Sequence, residues 1–113
     1  MLINKKDIIG INQEIGEKGN LRNEGSLDFT ISIIRQKRSW LQELCYLLRS
    51  LLTDHAFEDG NKRTALIILI LYFKDQNLDY DKDKLIKTIW EISKKNIADI
   101  NKLMRMVKNA INT

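Results

Sequence analysis

Two segments of this chain are apolar on nearly every side, and in a chain of 113 residues both have to lie at its centre. The first, residues 39–55, reads SWLQELCYLLRSLLTDH; the second runs from Asn61 to about Gln76 and holds an unbroken apolar run from Ala65 to Phe73. A helix that is hydrophobic all round is stable only when neighbours cover it. That run is about half of the roughly 20 residues that a membrane-spanning helix needs, so it reads as a buried helix with no membrane role. The expected architecture is therefore all-α, a compact single domain over residues 1–113, bundled around a central apolar helix pair.

The rest of the chain supplies the covering helices. There is no proline and there are only five glycines, so breaks fall to Gly, Asn and Asp. Few stretches alternate apolar and polar for long enough to make a sheet. Asn4, with Asp7 three positions on, opens a helix carrying Ile8, Ile11 and Ile15 on one face. After a turn-rich stretch marked by Gly16, Gly19 and Gly25, Ser26 is expected to cap a short helix with Leu27, Ile31 and Ile34. Asp81 or Asp83 opens another, with Leu85, Ile86, Ile89 and Trp90 inward. Asn96 and Asp99 form a capping pair for the last helix, striped by Ile97, Ile100, Leu103, Met104, Val107 and Ile111. Both tryptophans are assigned to the core.

Composition narrows the function classes. A hydrophobic share of 43% and a charged share of 30% are those of an ordinary globular protein. The single cysteine, Cys45, cannot form an internal bridge and sits on an apolar helix, where it behaves as a small hydrophobe. The N-terminus turns polar after three residues, unlike a signal peptide, so the cytoplasm is the expected location. The positive charge behind the net +4 is spread over several helices, with local clusters at Arg35-Gln36-Lys37-Arg38 and Lys94-Lys95 that have no interleaved aromatic residues. Direct nucleic-acid binding is accordingly not expected. A mildly basic surface still suits anionic ligands or partners.

The chemistry concentrates in His55-Ala56-Phe57-Glu58-Asp59-Gly60-Asn61-Lys62-Arg63-Thr64, between the two apolar segments. A helix start presents unpaired backbone N–H groups and the positive end of the dipole, which suits an anion. Gly60 lets backbone approach a ligand closely. Asn61 can cap the helix or bond a phosphate oxygen. Lys62 and Arg63 place two cations in the first turn, where the dipole disfavours them unless an anion answers. Asp59 offers a hard oxygen for Mg²⁺, or simply a helix cap. The only histidine, His55, can accept a hydroxyl proton at neutral pH. Lys62 could equally point into water, Glu58 is expected to be solvated, and Thr64 reads as a helix-start hydroxyl.

The stretch HAFEDGNKR resembles the Fic signature, H-P-F-x-[D/E]-G-N-[G/K]-R, and its continuation N-K-R-T-A is similar to the Doc (death-on-curing) branch of the Fic/Doc family. Leu21-Arg22-Asn23-Glu24-Gly25-Ser26-Leu27 resembles the upstream R-[D/N]-E-G-x-L element of that branch. The resemblance, taken to extend over nearly the whole chain, implies a Fic/Doc-type helical bundle. It implies His55 as catalytic base, Phe57 as a buried loop anchor, Asp59 as Mg²⁺ ligand, Gly60 and Asn61 as an anion-binding turn, and Lys62 and Arg63 as phosphate contacts. AMP-transferring members keep a second arginine three positions after the first; Leu66 stands there in this chain.

The resemblance therefore implies a Doc-like toxin that transfers the γ-phosphate of ATP to a protein hydroxyl, with elongation factor Tu as the family's target. AMP transfer and a non-catalytic binding protein are the alternatives. Ala56 replaces the usual signature proline. The flap that lines up the target segment is short, with only about Gln36 to Ser39 free to serve. No self-inhibitory pattern is evident (Leu44 breaks the nearest approach, Ser39 to Glu43), so a separate helical antitoxin is the implied partner.

Overall fold

The structure, a computed structural model, describes residues 1–112. Six α-helices dominate it: α1 (Lys5–Glu14), α2 (Glu24–Arg35), α3 (Trp40–Leu48), α4 (Asn61–Asp75), α5 (Lys82–Lys94) and α6 (Ile100–Asn109). Helix α3 runs on into a π-helical turn, Arg49–Thr53, before the chain loops through residues 54–60 into α4. Strands β1 (Asp79–Tyr80) and β2 (Ile111–Asn112) are two residues each and pair antiparallel, Tyr80 opposite Ile111. The all-α expectation holds.

Local chemistry accounts for most helix starts. Asn4 and Asp7 form a reciprocal box, each side chain accepting from the other's backbone N–H at 2.8 and 3.0 Å. Ser39 caps α3, Asp81 caps α5 and Asp99 caps α6. Two expectations need correction. Asn23, not Ser26, caps α2; Ser26 lies inside the first turn, and its N–H donates to Asn23 Oδ1. Asn96 is not part of the last helix's cap: it follows α5 with φ +50°, the left-handed geometry that ends a helix and that asparagine tolerates.

The core is the expected apolar pair and its cover. Leu44, Leu47, Leu48, Leu51 and Leu52 from α3 and its π turn meet Ile68, Leu69 and Phe73 from α4, all essentially inaccessible. Ile8, Leu27, Leu85, Ile89, Leu103 and Val107 close the surround. Trp40 packs edge-on against Phe73 at 6.4 Å. Trp90 does not join them. It is 57% exposed, because α5 turns Leu85, Ile89 and Ile92 inward and leaves position 90 outside that stripe. The surface of α4 also stays partly apolar, with Ile67 and Leu71 exposed. No helix among the described residues is long and apolar enough to cross a membrane.

Burial pushes the Cys45 thiol up to about 12, so almost no thiolate exists near neutral pH. Cys45 is expected to resist a thiol-specific alkylating reagent in the native protein and to react once denaturant is added. Mass spectrometry of the two samples reads this directly, and fast native labelling would contradict the packing described here.

Candidate active site

The loop that carries His55 is held on two sides. From the π turn, Ser50 O accepts from Ala56 N–H at 3.0 Å. From the α1–α2 connection, Arg22 N–H and Asn23 N–H both donate to Ala56 O, at 2.8 and 3.1 Å, and Asn20 O accepts from Glu58 N–H at 3.0 Å. Leu21 and Phe57 form an isolated antiparallel bridge. The cap residue of α2 takes part as well: Asn23 Nδ2 donates to Asp54 O at 3.2 Å. Ser26 Oγ bonds Asp54 Oδ2 at 2.7 Å and Ser50 Oγ at 3.0 Å. Residues Leu21 to Ser26 are thus a clamp on the loop. Ala56 and Phe57 are buried within it, while His55 projects outward, exposed, with a left-handed φ of +52°. A non-glycine residue in that region is strained and persists only where surrounding bonds impose it.

The next residues begin α4 in an unusual way. Among the described residues, the other five α-helices are capped by a side chain; α4 starts at Gly60 with none. Its first intrahelical bond is Thr64 N–H to Gly60 O at 2.9 Å, so the amides of Asn61, Lys62 and Arg63 have no preceding carbonyl to bond. Gly60 has φ +78°, and a Cβ there would sit 2.6 Å from Glu17 Cγ and 3.1 Å from Asn12 Nδ2. Its glycine is required by close packing against the end of α1, in addition to any approach by a ligand. Asn61 is not the cap. Its side chain returns to the loop, accepting from Phe57 N–H at 3.0 Å and donating to Phe57 O at 2.8 Å. Asp59 is not the cap either; its carbonyl accepts from Asn12 Nδ2 at 2.9 Å.

One cavity of about 340 Å³ gathers all six residues singled out from the sequence: His55, Asp59, Gly60, Asn61, Lys62 and Arg63. Glu17, Glu58, Leu52 and Ser93 complete its wall. The two cations are held differently. Arg63 donates to Glu17 Oε1 at 3.0 Å and to Ile15 O at 3.2 Å, which ties it to the end of α1. Lys62 Nζ lies 4.4 Å from the centre of the Trp90 ring. Sequence reasoning missed Glu17, Ser93 and Trp90, whose partners are remote along the chain. It also missed Asn12, buried on α1 with bonds to Asp59 O, Thr64 Oγ1 and Gly19 N–H. A signal for Asn12 existed: it is a polar residue on the Ile8–Ile15 face.

The Asp59 carboxylate is exposed and makes no hydrogen bond or ion pair among the described residues, so it is free to meet a metal ion. No three His, Cys, Asp or Glu side chains gather there as a cage among the described residues. A hard octahedral ion at Asp59 would therefore take its remaining oxygens from phosphate and water, which is how Mg²⁺ is commonly held. The segment Gln36 to Ser39 lies at the far end of α3. The helical stretch from Trp40 to Thr53 separates it from His55 by roughly 20 Å at 1.5 Å per residue. It cannot line the site as a flap; the connection between α1 and α2 is what flanks the loop.

Asn61→Ala removes both bonds that close the loop onto Phe57 and leaves the partly buried Phe57 N–H and C=O without that partner, a loss of about 1–3 kcal/mol. Gly60→Ala adds left-handed strain to a Cβ clash and is expected to cost at least about 1 kcal/mol. Urea unfolding midpoints at unchanged slope measure both; wild-type stability in either variant would contradict this geometry.

The family model described as Fic/DOC family matches residues 2–73, from the start of α1 through most of α4. Helices α5 and α6, and with them Trp90 and Ser93, lie outside the match. No curated protein matches the chain. The clamp element, the His55 loop and the uncapped helix start all fall inside the matched span, which covers more than half of the sequence, and the chain belongs to the Fic/Doc family.

Proposed function

We propose that the protein is a Doc-like toxin enzyme acting in the cytoplasm, transferring the γ-phosphate of ATP to a hydroxyl of a protein such as elongation factor Tu. A helical antitoxin would hold it in check. The observation that carries the reading is the uncapped start of α4, which opens into the same cavity as His55 and Asp59. Family membership supports a transferase of the Fic type in general. Leu66 supports phosphate rather than AMP transfer, because the position is half-buried, apolar and supplies no charge to a longer phosphate chain.

The roles follow from the cavity. The free amides of the first turn of α4 and the ammonium of Lys62 receive phosphate oxygens. Mg²⁺, if bound, would supply positive charge to offset what builds up on the phosphate during transfer. Asp59 is the residue to hold it. His55, exposed on a braced loop, takes the proton of the incoming hydroxyl while its oxygen bonds phosphorus and ADP departs. Arg63 contributes by anchoring the helix start to α1, with its guanidinium at the cavity edge. The non-catalytic alternative draws support from the short Gln36–Ser39 segment, which lies too far from His55 to line up an acceptor.

Incubation with Mg²⁺, elongation factor Tu and ATP labelled at either the α- or the γ-phosphate distinguishes these readings. Label is expected on the acceptor from the γ position only. His55→Ala should abolish it while the circular dichroism spectrum and melting curve stay unchanged, since His55 is exposed and its side chain bonds nothing in the described fold. Transfer from the α position would mean AMP transfer. No transfer, together with no Mg²⁺-dependent ATP binding, would establish the binding-protein alternative.

A further inference from the structure

Lys62 and Arg63 are adjacent cations with opposite electrostatic fates. Arg63 faces the carboxylate of Glu17, so much of its charge is already answered within the protein. Lys62 makes no ion pair among the described residues. What holds it is a neutral group, the face of Trp90, on a helix remote in sequence. An aromatic face attracts an ammonium through its quadrupole and carries no net charge, so it localises the cation without cancelling it. A carboxylate in the same place would do both.

Three further observations converge on Trp90. It is 57% exposed, an unusual placement for a side chain this large, and the inward stripe of α5 gives no packing reason for it. Its ring forms one wall of a slot of about 190 Å³ with Leu66, Ile86 and Ile89, and Lys62 and Arg63 belong both to this slot and to the His55 cavity. Lys62 therefore borders both spaces, with its ammonium over the Trp90 face. Freezing a lysine costs side-chain entropy that a bound anion would otherwise have to supply.

We propose that Trp90 is a positioning residue: it holds Lys62 as an uncancelled cation at the rim of the phosphate cavity, prepaying its ordering for an incoming polyphosphate. This role rests on the transfer reading above. It acts wholly through Lys62 and asks nothing of the nucleobase.

Inorganic tripolyphosphate is the appropriate probe, because it has no base with which to touch the slot. Calorimetric titration of the full chain is expected to show weaker binding for Trp90→Leu, by up to about thirtyfold, the scale of a lysine's side-chain ordering entropy. Trp90→Phe, which keeps a weaker face, should lose less. In a Lys62→Met background, Trp90→Leu should have no further effect. The Lys62 ε-methylene protons, shifted upfield by the indole ring current in the wild type, should return to an ordinary position in Trp90→Leu. Unchanged affinity in Trp90→Leu, or an equal loss with and without Lys62, would overturn the positioning role and leave the transfer reading intact. A wild-type protein that fails to bind tripolyphosphate at all would overturn both.

Discussion

Asn12 is a buried amide whose hydrogen bonds join three parts of the chain. Its Nδ2 reaches Asp59 O and Thr64 Oγ1, and its Oδ1 takes the N–H of Gly19. With one side chain, the end of α1, the turn after it and the start of α4 are locked in register. A buried amide left short of partners costs about 1–3 kcal/mol, so the arrangement tolerates little slippage. Gly60 fits beneath it only because it lacks a Cβ. Everything that follows, from the direction of α4 to the cavity at its mouth, depends on that junction.

The junction permits a helix start that would be a poor choice on local grounds. A side-chain cap is ordinarily worth about 0.5–2 kcal/mol, and α4 has none. Two cations in the first turn oppose the dipole by a further fraction of a kcal/mol each. Against this, each large apolar side chain buried on α4, such as Ile68, Leu69 and Phe73, contributes about 1.5–3 kcal/mol. The buried face outweighs the unfavourable start several times over. The helix can leave its amides open for a ligand because its stability comes from its middle.

That division explains what could be read in the sequence. The two apolar segments announced a helical core, and the Asn4 start, with Asp81 and Asp99 among the candidates for two others, was visible because a cap acts over three residues of local sequence. The six candidate residues that line the cavity could be picked out together because they lie within nine consecutive positions. What stayed hidden depends on contacts across the fold. The spacing of Leu85, Ile89 and Trp90 suits one helix face equally well in several rotations, and only packing against α4 decides that Trp90 is left outside. Asn61 reads as a cap by type, yet the turn of the preceding loop brings Phe57 within reach of both ends of its amide. The Leu21–Leu27 element stood out as a motif without a purpose; its backbone and the Asn23 and Ser26 side chains turn out to brace His55.

The brace and the cations together set the chemistry available. His55 holds a left-handed φ because both neighbours, Asp54 and Ala56, are bonded to the clamp and the π turn. Its imidazole makes no hydrogen bond among the described residues, which suits the proton-accepting role proposed for it. Across the cavity, Glu17 answers Arg63 and Trp90 steadies Lys62, which leaves fixed positive charge and open amides on the wall belonging to α4. In the proposed transfer, a base on one strained loop would work beside an anion site on one uncapped helix, and the two are neighbours in sequence. Their separation is then governed by the few residues between them, Ala56 to Gly60, each of which the fold pins by backbone bonds or burial. Catalysis by positioning needs that kind of short, over-determined linkage, because a displacement of about 1 Å between base and phosphate can cost roughly a hundredfold in rate.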